Sequence, residues 1–268
     1  MSKITFIGGG NMATAIAGGL IANGTTPGDI AIVDPNVEQR NRLQETLGVA
    51  VFEDVGEACK NAELIILAVK PQIVPEVADQ VKEGADLGGK MLLSIVAGVT
   101  IKTLEDLFGN IAIARTMPNT PALLGLGATG LYLSPQTSDS QRMEMIKIIE
   151  AFGICVTVKQ EELLDAVTAV SGSGPAYFFL MIEEMIKTSV KLGLSSDEAK
   201  KLTLQTALGA ATMASNGDVE PDKLLQRVTS PNGTTHVAIT AMQEGGFGEI
   251  IDKAMYACRD RAIELGKG

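Results

Sequence analysis

The chain has 268 residues, 46% of them hydrophobic and 20% charged, with a net charge of −10 and three cysteines. That length allows one large or two modest domains with a sizeable core. The negative charge, with no run of Lys or Arg, argues against a nucleic-acid partner. Cys59, Cys155 and Cys258 are odd in number, far apart and in no CxxC pair, as expected of free thiols in a reducing compartment. No basic-then-apolar leader precedes the first motif, and no apolar run reaches the length of a membrane span. The expectation is a cytoplasmic protein without a membrane partner.

The first stretch carries the strongest local signal. Ile4, Phe6 and Ile7 read as a short buried strand, followed by Gly8-Gly9-Gly10 and a helix marked by Met12, Ala13, Ile16 and Leu20. Gly8-x-Gly10-x-x-Ala13 matches the dinucleotide fingerprint with Ala in its third position, in the strand–turn–helix context that the motif requires. The helix amides and the positive dipole end would face a pyrophosphate. The plain alternative is an ordinary glycine-rich turn between a strand and a helix.

Residues 29–34 read as a second strand ending in Asp34, placed where an acid ordinarily accepts hydrogen bonds from the adenosine ribose. That favours NAD, whereas Arg40 and Arg42 just downstream would offset repulsion of the extra phosphate of NADP, so the choice stays open. Val37–Leu47 reads as a helix, 49–52 as a short strand, and 63–69 as a buried strand ending at Lys70-Pro71, where open α/β sheets place ligands. Strand ends follow at 90–98 and 111–121. Pro118 and Pro121 stiffen the second, leaving Asn119 and Thr120 as polar groups of a site or as caps of a structural turn. Residues 126–133 and 152–158 read as strands around a helix at 138–151. The alternation predicts a doubly wound parallel sheet over residues 1–160.

From 161 to 268 the pattern is all helical. A long apolar helix is expected to break at Ser171-Gly-Ser-Gly-Pro175 and to continue from Ala176 to Leu192. Others are expected at 195–215 (Ser195 and Glu198 as a capping box), 220–228, from Asn232, and at 248–265. Residues 176–190 are apolar around most of the circumference, as a dimerising helix would be. Ser171–Pro175 and Thr229–Thr235 place glycines and hydroxyls at helix starts, able to hold a carboxylate on backbone amides or simply to cap a helix. His236 reads as a packed or surface residue rather than a general acid. Glu183 and Glu184 read as solvated or interfacial, and no cluster has metal-ligand spacing.

Together these residues resemble the pyrroline-5-carboxylate reductase family over essentially the whole chain. The resemblance rests on Phe6–Met12, Ala68–Pro71, Ser94–Gly98, Met117–Pro121, Ser171–Tyr177 and Val228–Thr235, the last two being the most specific. It implies a Rossmann-like domain followed by an all-α dimerisation domain, and reduction of a cyclic imine to L-proline by NADP(H), with NAD(H) left open. Ile7, Gly8, Gly9, Gly10, Asn11, Met12, Asp34, Asn36, Ala68, Val69, Lys70, Pro71, Val96 and Ala97 would line the coenzyme. Gly233, Thr234, Thr235, Asn119 and Ser171 would hold the substrate, with Thr235 and Ser173 catalytic, between the sheet edge and the partner's helices. The family forms an intertwined homodimer, commonly a decamer built as a pentamer of dimers. Asn232 replaces a glycine of the family pattern, where Asn best tolerates φ > 0. Val55 stands where the family often has Asn, and Asp34 is unusual for a family that mostly prefers NADPH. A β-hydroxyacid dehydrogenase would need a lysine where Phe178 stands, and a non-catalytic dinucleotide sensor would not need the second site.

Overall fold

The computed structural model describes residues 3–266. Eight strands, β1 (Ile4–Ile7), β2 (Ile30–Val33), β3 (Ala50–Phe52), β4 (Leu64–Leu67), β5 (Met91–Ser94), β6 (Ala112–Met117), β7 (Gly127–Leu133) and β8 (Gly153–Thr157), form one sheet in the order β3-β2-β1-β4-β5-β6-β7-β8. The first six are parallel. β7 pairs antiparallel to β6, with Thr116 opposite Leu131, and β8 runs parallel to β7. The wholly parallel sheet expected from the sequence is corrected here. Only residues 118–126 join β6 to β7, too short a link for a parallel crossover, which needs a dozen or more residues.

The central strands β2, β4 and β5 are buried on both faces, so alternate residues feed two cores. Phe6, Ile32, Leu64, Ile66 and Leu93 pack on one side with helices α1 (Asn11–Ala22), α2 (Val37–Leu47) and α6 (Asp139–Glu150). Ile7, Val33, Ile65, Leu67 and Leu92 pack on the other with α3 (Val55–Cys59), α4 (Val74–Gly84) and α5 (Ile101–Phe108). The last three fill stretches that the sequence pattern leaves unassigned. Each fully buried Leu or Ile of β4 contributes about 1.5–3 kcal/mol of transfer free energy. Cys59 lies in the second core, where burial pushes its thiol up to about 12, the behaviour of a packing residue and not of a nucleophile. Cys155 is similarly pushed up by burial, to about 11.

After β8 come α7 (Leu163–Val167), a π-helical turn at Thr168–Gly172, α8 (Gly174–Lys191), α9 (Ser196–Ser215), α10 (Pro221–Val228), α11 (Thr234–Glu244) and α12 (Phe247–Leu265). The break expected at Ser171–Pro175 is present: a π-turn ends at Gly172, Ser173 lies outside both helices with its amide donating to the Thr168 carbonyl at 2.8 Å, and α8 starts at Gly174. Compact packing divides the chain into one unit of residues 1–173 with 258–268, and a second of residues 174–257. That boundary falls after the π-turn, later than the 160/161 division read from the sequence, and the end of α12 belongs to the first unit. The second unit has almost no buried core of its own. Phe178, Phe179, Leu180, Leu208 and Ile250 are each at least 60% exposed. Among the described residues no helix is long and apolar enough to cross a membrane.

The helix starts follow the sequence. Ser195 accepts from the Glu198 amide, and the Glu198 carboxylate accepts from the Ser195 amide at 2.9 Å. The Ser195 hydroxyl, donating to the Glu198 carboxylate at 2.6 Å, and then the Ser195 amide hold that carboxyl below its ordinary pKa. We expect Ser195→Ala to lower stability by about 1 kcal/mol, read as a shift in the denaturation midpoint at constant m-value.

Candidate active site

Because β1, β2, β4, β5 and β6 share a direction, their carboxyl ends deliver the glycine loop, Asp34, Ala68–Pro71, Val96–Ala97 and Met117–Asn119 to one sheet edge. This is where open α/β sheets bind ligands. Gly8 has φ +101°, and a Cβ there would lie 2.4 Å from the Ala68 carbonyl oxygen, so only glycine fits. Gly10 is exposed, with nothing within 4 Å of a Cβ built on it. It precedes α1 without any side-chain cap, leaving the first-turn amides, including those of Asn11 and Met12, without a side-chain acceptor. A tight turn, an open cradle and an uncapped helix start fit a pyrophosphate. When bound there, a nicotinamide coenzyme supplies a hydride.

Asp34, expected as a ribose acceptor, makes backbone contacts of its own. Its carboxylate accepts from the Gly9 amide and from the Asn36 amide, both at 2.9 Å. Arg40, read as a counter-charge to the extra phosphate, donates to the Asp34 carbonyl at 2.8 Å and pairs with Glu53 at 2.9 Å. Arg42 is exposed. Asn36 caps α2 through the Glu38 and Gln39 amides. Val55 is buried at the start of α3. Ala68 donates its amide to Ile7, and Lys70 and Ala97 are exposed, whereas Val96 is buried and donates to the Ser94 hydroxyl at 3.2 Å.

Asn119 is 7% exposed and spent on the backbone. It donates to the Ser171 carbonyl at 3.0 Å and accepts from the Ala128 amide at 2.9 Å. It thereby ties the β6–β7 loop to the π-turn, a strut that the Pro-Asn-Thr-Pro pattern does not reveal. The Ser171 hydroxyl donates back to the Val167 carbonyl at 3.2 Å. The Ser173 hydroxyl accepts from the Cys258 thiol at 3.2 Å, a contact across 85 residues with no local sequence signal. Beneath the π-turn, Arg115 pairs with Glu161 at 2.9 Å, and Glu161 also accepts from the Ile101 amide. Asp165, flanked by Glu161 and Glu162, has its carboxyl raised by burial, against the pull of Arg115.

In the second unit, Asn232 has φ 59°, the only positive-φ residue other than glycine among those described, as the glycine-substituting position predicts. Gly233 precedes α11 without a side-chain cap, so the amides of Thr234 and Thr235 face outward unpaired by the helix. His236 is exposed. Phe178 is 67% exposed on α8. Glu183 and Glu184 both pair with Lys187, at 2.8 Å each. No group of three or more His, Cys, Asp or Glu could hold a metal among the described residues.

A family model for pyrroline-5-carboxylate reductase dimerisation matches residues 161–265, and one described as NADP oxidoreductase, coenzyme F420-dependent, matches residues 3–98. A pyrroline-5-carboxylate reductase of Pseudomonas aeruginosa is 44% identical over 99% of this chain and 97% of its own length. The chain belongs to the pyrroline-5-carboxylate reductase family. The solved reductase of Coxiella burnetii is 38% identical with a TM-score of 0.94, covering 100% of this chain and 99% of that one. That of Plasmodium falciparum, with NADP bound, is 30% identical with a TM-score of 0.87, covering 99% and 98%. This family member therefore places the glycine loop and the Asn232–Thr235 start on separate compact units.

The sign of the Asp165 shift gives a test of the ionic cluster. An acid whose folded pKa is raised costs stability above its ordinary range, and that cost vanishes as pH falls below it. Asp165→Asn should therefore raise the melting temperature at pH about 7 and leave it unchanged near pH 3, measured by thermal melts across that range.

Proposed function

We infer that this chain reduces the C=N bond of 1-pyrroline-5-carboxylate to give L-proline, with a hydride from NADP(H). The observation that carries the reading is membership of the family along the full length of the chain, with both the glycine loop and the Asn232–Thr235 start intact. NAD(H) as a second donor belongs to the proposal.

The reaction asks little of the protein. A protonated cyclic imine is already an electrophile, so holding it in place and keeping water out supplies most of the rate. The residues proposed to hold the coenzyme are Ile7–Met12, Asn36, Ala68–Pro71, Val96 and Ala97, with Asp34 acting beneath the loop. The substrate carboxylate is proposed to sit on the amides at Gly233–Thr235, drawn by the dipole of α11, with the Thr235 hydroxyl toward the ring nitrogen. Ser173 is proposed to offer a second hydroxyl, and Ser171 and Asn119 to support it from the sheet side. Residues 161–268 are proposed as the substrate and dimerisation domain. The exposed apolar faces of α8, α9 and α12 support a homodimer, since a helical unit with this little core needs a partner to bury them. Assembly into a decamer and a cytoplasmic location complete the proposal.

The test is coenzyme oxidation by the purified protein, followed by absorbance with 1-pyrroline-5-carboxylate and either NADPH or NADH. We expect rapid oxidation that depends on the imine. Thr235→Ala should lower kcat/KM by about 2–4 kcal/mol of transition-state binding. A near-parental value would remove Thr235 from the mechanism, and no oxidation with either coenzyme would overturn the reading.

A further inference from the structure

Gly9 is held on both sides, at the amide of the peptide before it and at the carbonyl of the peptide after it, by side chains of the β2–α2 segment, with a longer contact of 3.5 Å from the Thr14 hydroxyl to the same carbonyl. Its amide donates to the Asp34 carboxylate at 2.9 Å, and its carbonyl accepts from the Gln39 side-chain amide. Gly9 is buried between these contacts, whereas Gly10 beside it is open. The segment making the contacts is itself fixed. The other Asp34 oxygen accepts from the Asn36 amide at 2.9 Å. Arg40 donates to the Asp34 and Pro35 carbonyls at 2.8 and 3.0 Å, and its far nitrogen meets Glu53 beyond β3.

We propose that Asp34 and Gln39 are positioning residues for the coenzyme, clamping the two peptides that flank the Gly9 Cα so that the next amides, from Gly10 onward, point at the pyrophosphate. This rests on the reading of the glycine loop as the coenzyme's seat. The backbone chemistry explains why a clamp is needed. A triple-glycine turn has the largest conformational entropy to lose of any three residues, and a loop left free would lose it on binding. Two side-chain hydrogen bonds, one of them to a charged carboxylate, remove that freedom before the ligand arrives. The Gly8 amide is already spent on the Val33 carbonyl at 2.8 Å and the Gly9 amide on Asp34, so the first amides left for a phosphate are those of Gly10 and the first turn of α1.

A consequence separates this role from the one an acid at this position ordinarily plays. The pyrophosphate is common to NADPH and NADH, so a loop clamp serves both coenzymes alike. A carboxylate that selects through the ribose would favour one over the other. Arg40 is likewise committed to carbonyls and Glu53, so Asp34 and Arg40 brace this segment and do not sort the coenzymes.

The experiment is calorimetric titration of NADPH and NADH into the full-length parent, Asp34→Ala, Asp34→Asn, Gln39→Ala and Gln39→Glu, with thermal melts as a control for folding. Losing one such hydrogen bond should weaken both coenzymes by about tenfold in Asp34→Ala, Gln39→Ala and Gln39→Glu. The last keeps the size of the side chain but has no hydrogen to donate. Asp34→Asn retains an acceptor for the Gly9 amide and should recover most of the loss. The ratio of the two affinities should stay at the parental value throughout, and KM for the imine at saturating coenzyme should not move. Parental affinity in both Gln39 variants would overturn the clamp. So would a tenfold or larger shift of the ratio toward NADPH in Asp34→Ala, which would make Asp34 a ribose selector. Gln39 is half-buried on the surface of α2, so its variants report even where an Asp34 variant fails to fold. Binding is read without the imine, so a protein that bound coenzymes as expected but failed to reduce the imine would sink the reductase reading and leave the clamp standing.

Discussion

Everything at the candidate coenzyme site depends on one constraint, the parallel pairing of β1 with both β2 and β4. Ile4 lies opposite Ile30 on one side and Leu64 on the other, and the register holds to Ile7, Val33 and Leu67. Because these strands end level with one another, the glycine loop, Asp34 and Ala68 emerge within hydrogen-bond reach. The Gly8 amide reaches Val33, the Ala68 amide reaches Ile7, and Asp34 reaches Gly9. A slip of one residue would turn the two buried faces inside out, so the hydrophobic core that fixes the register also fixes the site.

The features legible in the sequence were those whose physics is local. Gly8 needs positive φ, Asn232 replaces a glycine at positive φ, and Ser195 with Glu198 closes a capping box. Continuous apolar runs such as 64–67 announced strands buried on both faces. The reversal of β7 is not legible in the alternation of elements, which carries no sign of direction; only the shortness of 118–126 does. The break at Ser173 follows from glycines and a proline after a helix, which ordinarily end it, whereas the π-turn before it has no such local signal. Here the wider hydrogen bond from Ser173 to Thr168 carries the chain onward, and Pro175 falls in the first turn of α8, where a missing amide hydrogen costs nothing.

Side-chain roles were less legible, since they depend on long-range contacts. Asp34, Asn119 and Arg40 each occupy positions where the sequence suggests a ligand contact, and each is also tied to backbone. At this sheet edge the Asp34, Asn119 and Arg40 side chains stiffen the loops and the backbone around Gly10 is open, and in the second unit the helix start at Gly233 is likewise uncapped. Backbone amides at helix starts suit anionic groups without the long, flexible side chains that would have to be ordered on binding. That economy agrees with chemistry in which the substrate is already activated by its own positive charge.

The most direct measurement of the central claim follows the hydride itself. The purified protein is given 1-pyrroline-5-carboxylate and NADPH carrying deuterium at the transferable position of the nicotinamide, and the proline is examined by mass spectrometry and NMR. Direct transfer predicts deuterium in the product, located at the former imine carbon and nowhere else. Proline without deuterium, or no proline from a protein that still binds the coenzyme, would contradict the account.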